Sequence, residues 1–152
     1  MLVNMKMRVR LAAIGVCACV FFPGPAEPRE TIEVRVKQLI EKTQHESTEA
    51  EAFRELEGLG CKAVPAIIKN MDDRRPLPVR YIALENKSPQ AFEAIRQYRP
   101  ERVVDALAAI LNQVTGQHFG FIYNGASDVE RAKTVAAWRE YLAKTSAARL
   151  CE

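Results

Sequence analysis

The sequence predicts an all-α fold, six or seven short helices following an export leader. Three observations predict it. After residue 26 apolar residues recur at steps of three and four, most clearly at Val103, Val104, Leu107, Ile110, Leu111 and Val114. No run alternates strictly enough to demand a sheet. Helix-start and helix-stop residues punctuate the pattern at intervals of roughly 8 to 16 residues, so each helix is too short to stand alone and must be covered by its neighbours.

The leader comes first. Lys6, Arg8 and Arg10 precede an uncharged run of 12 residues, Leu11 to Phe22. Pro23 and Gly24 break the run, and Gly24-Pro25-Ala26 offers small residues for a cut. This is the anatomy of a signal peptide over residues 1–26. A membrane-spanning helix needs about 20 apolar residues, so an uncleaved anchor is the lesser reading. Val16-Cys17-Ala18-Cys19 would suit a lipoprotein, but few apolar residues precede it. The expected location is therefore periplasmic or secreted.

The remaining organisation is a first helix and loop over 27–46, a helical domain over 47–145 and a tail over 146–152. Ile32, Val36, Leu39 and Ile40 give the first helix one apolar stripe. Thr48 with Glu51 reads as a capping box, with Phe53, Leu56 and Leu59 behind it and Gly58 and Gly60 as the stop. In CKAVPAIIKNMDD, Val64, Ile67, Ile68 and Met71 lie on one face, with Pro65 tolerated in the first turn. Asp72 to Pro78 is a charged connection. Val79 to Asn86 is ambiguous, although Val79, Ile82 and Ala83 fit a helical face. Ser88-Pro89 predicts a helix start running to Tyr98 that buries Phe92 and Ile95. Pro100 opens the strongest helix, which Gly116 stops. Ser127 with Glu130 is a second capping box, ahead of a helix with Val135, Trp138 and Leu142 on one stripe and Tyr141 beside it.

At LEGLGCKAVPAIIKNMDD the chain resembles bacterial HEAT-like repeats, through Leu59, Gly60, Ala63, Val64, Pro65, Ala66 and Ile67 and the following Asp72-Asp73. Leu111, Thr115, Gly116, Gln117, Phe119, Gly120 and Trp138 resemble a segment found near the end of such arrays, although Phe121 to Ala126 lengthens its link to the Trp helix. The resemblance covers residues 47–142. It implies a short right-handed stack of antiparallel helix pairs that binds other proteins on a curved surface, and it does not imply an enzyme.

Charge narrows the partners. The chain holds 22 Lys and Arg against 19 Asp and Glu, a net charge of +3. Three of those bases lie in the leader, so the rest is neutral and nucleic acid is not an expected partner. Residues 62–104 nevertheless carry nine bases and five acids. Arg74, Arg75, Arg80, Arg96 and Arg99 sit around helix ends, where guanidinium forks suit an acidic protein partner.

The stretch ILNQVTGQHFGFIYNG concentrates polar side chains around His118. A hydrolytic site there would need a nucleophile within reach of the imidazole and a third group holding its tautomer. Ser47, Ser88, Ser127 and Ser146 have simpler readings as caps or tail, and no GxSxG occurs. The stretch is therefore expected to be a helix end and packed turn, with His118, Tyr123 and Asn124 on a recognition edge. The rival reading is an envelope hydrolase, or a helper of one, built on that loop. A third is a structural envelope protein. No cofactor is implied, and His45 and His118 have no metal-ligand spacing. Cys61 and Cys151 remain after the leader, an even number in an oxidising compartment. They either form a bridge, or Cys61 is buried while Cys151 stays loose. The composite expectation is an exported helical binding module, of which an immunity-type inhibitor covering a cell-wall-directed toxin is the concrete version.

Overall fold

The apolar stripes predicted for the helices converge on one core. The computed structural model describes residues 30–86 and 92–151. Leader residues 1–26, Lys87 and the proposed Ser88-Pro89 helix start lie outside them. The chain is mostly helical with one small two-stranded sheet: α1 (Ile32–Lys42), α2 (Glu46–Gly58), α3 (Val64–Lys69), β1 (Ile82–Glu85), β2 (Ile95–Tyr98), α4 (Val103–Thr115) and α5 (Asp128–Lys144). One 3-10 turn, Gly60–Ala63, leads into α3, and another, Ala147–Arg149, follows α5. None of the described helices is long and apolar enough to cross a membrane.

Helix α4 is the centre. Eleven of its residues, from Val103 to Gln113, are buried in an unbroken row. A helix that is apolar on nearly every side must be wrapped, and α2, α3, α5 and β1 all pack on it. Helix α1 lies against α2 and buries Val36, Leu39 and Ile40 in the same core, so residues 30–46 are part of this domain. Helix α5 contributes Val135 and Trp138.

Several start and stop signals act as expected. Ser127 and Glu130 exchange hydrogen bonds at the start of α5 (Ser127 N to Glu130 Oε2, 2.8 Å). Gly116 ends α4 with φ 69°, a left-handed conformation that costs glycine least. Thr48 departs from expectation. Helix α2 already begins at Glu46, and the Thr48 hydroxyl donates to the Lys42 carbonyl at 2.7 Å. It closes a tight α1–α2 turn where a longer loop was expected.

The larger departure is between α3 and α4. The helix expected to reach Tyr98 is absent there. Ile82–Glu85 and Ile95–Tyr98 pair as an antiparallel hairpin, with Ile82 opposite Tyr98 and Leu84 opposite Arg96. Period two explains the choice: Ile82, Leu84 and Tyr98 turn inward, while Ala83 and Glu85 stay exposed. Phe92 and Ile95, expected to be buried, are exposed. The observed helix count is accordingly five α-helices among the described residues.

Two long-range ties close the structure. Arg131 of α5 grips Asp105 of α4 with two parallel hydrogen bonds, Nε to Oδ1 at 2.7 Å and Nη2 to Oδ2 at 2.8 Å. Both side chains are buried. Asp105 Oδ2 also accepts from the Glu101 and Arg102 backbone N–H groups, both at 3.1 Å, so one carboxylate caps α4 and docks α5. The second tie is a disulfide between Cys61 and Cys151, 90 residues apart. With Leu150 buried and the Tyr141 hydroxyl donating to its carbonyl, the tail is held to the core.

Each tie has a measurable consequence. Arg131→Met strands a buried carboxylate, and is expected to lower the urea unfolding free energy by about 3–5 kcal/mol. A loss under about 1 kcal/mol would show that the pair contributes no more than an exposed one. Reducing the disulfide, or replacing both cysteines by Ser, is expected to cost about 2–4 kcal/mol by freeing a long loop in the unfolded chain. Equal midpoints with and without dithiothreitol would contradict this.

Candidate functional site

The hairpin brings together side chains that are far apart in the sequence. Strand β2 runs beside the turn that follows α4. Tyr98 and Tyr123 meet edge to face, ring centroids 5.4 Å apart. The Arg99 N–H donates to Asn124 Oδ1 at 2.9 Å. Gln113 Nε2, on α4, donates to the Tyr98 hydroxyl at 3.1 Å. Arg96, Arg99, His118, Tyr123 and Asn124 therefore share one seam.

The turn is rigid because its polar groups are spent on one another. The Thr115 hydroxyl donates to the Leu111 carbonyl at 2.8 Å and accepts from Gln117 N–H at 3.1 Å. Asn112 Nδ2 lies 2.8 Å from the Gln117 carbonyl and 2.8 Å from His118 Nδ1. With both amide hydrogens so directed, Nδ1 is the accepting nitrogen and the imidazole proton sits on Nε2. The Tyr123 hydroxyl lies 3.1 Å from the same Nδ1. Gly120, with φ 109°, presses on α5 so closely that an added Cβ would sit 2.4 Å from Thr134 Oγ1. Phe119 inserts against Trp138 at 4.7 Å. The result is the helix end and packed turn expected from the sequence.

This arrangement constrains the chemistry. A general base needs a free imidazole lone pair, and that of His118 is directed at Asn112 and Tyr123. Burial, with the neighbouring Tyr98 phenol adding to it, raises the Tyr123 hydroxyl above its ordinary value despite the opposing pull of Arg96, so it is no ready nucleophile. What the seam presents outward is a surface. Phe121 is 80% exposed, its ring 6.1 Å from His118 and 6.0 Å from Tyr123. Among the described residues no carboxylate pairs with Arg96 or Arg99. No group of three or more metal-ligating side chains occurs among them either.

The other three arginines lie elsewhere, on the connection from α3 to β1. Arg75 is occupied by Asp73 (2.6 Å) and Glu41 of α1 (2.8 and 2.9 Å), and these hydrogen bonds raise its pKa. It staples the connection to α1. Arg74 has a buried, unpartnered Nη1, and Arg80 is exposed. Gln113, Asn112 and Phe121, which belong to the polar stretch around His118, complete the seam with Tyr98, and Tyr98 was not singled out from the sequence.

No family model, curated protein or solved structure matches this chain.

Beside Arg80, Glu49 of α2 is almost wholly buried. Its Oε2 accepts from Val79 N–H at 2.8 Å, while Oε1 has no partner. Burial raises its carboxyl above 4.5, the Val79 bond partly opposing and nearby Glu46 reinforcing the shift. A raised folded-state value means stability is full below 4.5 and declines as pH rises through the shifted value. The stability of the native protein relative to Glu49→Gln is expected to fall as pH rises above 4.5. A difference flat across that rise, read by urea titration, would contradict it.

Proposed function

We propose that this is an exported helical binding module that acts by covering a protein partner through the seam of β2 and the α4–α5 turn. The observation that carries the reading is the exposed Phe121 beside His118 and Tyr123, on a turn that meets β2 through Tyr98 and through the Arg99 N–H bonded to Asn124, with Arg96 near Tyr123. An exposed aromatic on a hydrogen-bonded, pre-organised turn with arginines on the neighbouring strand is the usual make-up of an interface hot spot. The two arginines favour an acidic partner surface.

Architecture and compartment belong to the same proposal. The paired helices α1 and α2, followed by α3 and α4, suit a short HEAT-like stack into which the β1–β2 hairpin is inserted. The cleavable leader and the Cys61–Cys151 bridge both suit an oxidising location outside the cytoplasm. The concrete form is an immunity-type inhibitor occluding an envelope-targeting toxin, with no covalent chemistry of its own.

The test compares captures from extract of the source cells. Wild type is expected to retain one abundant partner, identified by mass spectrometry, whose recovery falls at least about tenfold with Arg96→Glu, Arg99→Glu and Phe121→Ala combined. Unaltered recovery with the folded triple variant overturns the seam as the interface. Turnover of an envelope substrate that His118→Ala abolishes would overturn the non-enzymatic reading.

A further inference from the structure

The C-terminal tail brings one cation to a cleft beside the turn. Gln117 of the turn, Tyr141 near the end of α5, Thr145 that caps it and Arg149 of the tail line a hollow of about 350 Å³. The lining contains no acidic residue. Gln117 uses only its backbone, the N–H donating to Thr115 Oγ1 and the carbonyl accepting from Asn112 Nδ2, so its side-chain amide has no partner among the described residues. The Thr145 N–H donates to the Tyr141 carbonyl, and its hydroxyl has no partner among them either. Arg149 pairs with no described carboxylate. Glu140, the residue before Tyr141, is taken by Lys144 at 2.5 Å.

The backbone that carries this cation is fixed. Arg149 lies in the 3-10 turn Ala147–Arg149, between the end of α5 and two anchored residues. Leu150 is buried and its carbonyl accepts from the Tyr141 hydroxyl at 3.0 Å, and Cys151 is bridged to Cys61. A tail tied at both ends loses little further freedom when a ligand arrives. The charges then choose the ligand. A guanidinium fork matches the two oxygens of a carboxylate, and the free amide and hydroxyl add neutral donors. Helix α5 ends at Lys144, and the carbonyls of a helix C-terminus carry partial negative charge. One cation beside that end suits a single negative charge and disfavours a dianion such as phosphate.

We propose that this cleft binds one carboxylate group of a peptide or protein, held by Arg149, Gln117 and Thr145. The Cys61–Cys151 bridge acquires a role beyond stability, since it keeps the Arg149 backbone at the cleft. Gln117 precedes His118, so the cleft borders the seam. It draws on no residue of β2, and its test uses no native partner, so it stands or falls separately from the proposed function.

The experiment titrates two short peptides into the full, oxidised chain and follows the side-chain NMR signals of Arg149 and Gln117. One peptide is blocked at both ends and carries a single Glu. The other has no acidic residue and a free C-terminal carboxylate. At least one is expected to shift both signals saturably, and the tighter of the two identifies the source of the carboxylate. Its affinity is expected to fall at least about tenfold with Arg149→Gln and at least about threefold with Gln117→Leu. Opening the bridge with dithiothreitol is expected to weaken it as well, because binding must then order the tail. Arg149 is exposed and makes no ion pair among the described residues, so Arg149→Gln keeps the fold and decides the matter if the reduced chain does not. No saturable shift, or an affinity indifferent to Arg149→Gln, overturns the proposal. So does inorganic phosphate that binds more tightly than either peptide. Binding that appears only with Glu152→Gln also overturns it, and would assign the cleft to the chain's own tail.

Discussion

The fold depends on the buried pairing of Arg131 with Asp105. Helix α5 has little amphipathic character of its own and brings only Val135 and Trp138 fully into the core. What seats it on α4 is a fork-to-fork contact with a buried carboxylate, whose Oδ2 also takes two backbone N–H groups. The same carboxylate closes the first turn of α4. Removing water from two charges costs several kcal/mol each, and the geometry recovers that only because four hydrogen bonds converge on Asp105. With α5 placed, Trp138 can receive Phe119 and Thr134 can meet Gly120. The turn after α4 is thus moulded onto a helix that packs on α3 and is tied to α4 by that ion pair.

That sequence of dependencies leads to the seam. Thr115, Gln117 and Asn112 hold the turn from the α4 side, and Phe119 and Gly120 hold it from the α5 side. What stays exposed is a narrow crest of His118 and Phe121, with Tyr123 buried beneath them. Strand β2 then lines up beside it through Tyr98 and the Arg99 N–H. Binding by such a surface needs little ordering when a partner arrives, since the turn is already fixed by its own hydrogen bonds.

The hairpin has a double role. Its inner face, Ile82, Leu84 and Tyr98, seals the core beside α2 and α4. Beyond its last paired residue, β2 meets the turn after α4, where the Arg99 N–H donates to Asn124 Oδ1.

The apolar stripes of α1, α2 and α4, the Ser127–Glu130 box and the Gly116 stop were all legible in the sequence, because each depends on residues within four positions of one another. The hairpin was not. Tyr81–Glu85 and Ile95–Tyr98 are four- or five-residue segments whose period-two pattern is too short to stand out, and the choice of strand over helix follows from pairing across some ten residues and from the flank of α4 that Ile82 and Leu84 cover. The arginines were legible as a basic group and illegible as a site. Arg75 went to Glu41 and Asp73, while Arg96 and Arg99 joined His118, because which acids lie near a given guanidinium is a property of packing. The bridge from Cys61 to Cys151, left open by parity of cysteines alone, was likewise decided by distance. Local order was written residue by residue into the chain, whereas contacts spanning tens of residues were set by the one arrangement of helices that buries α4 and satisfies Asp105.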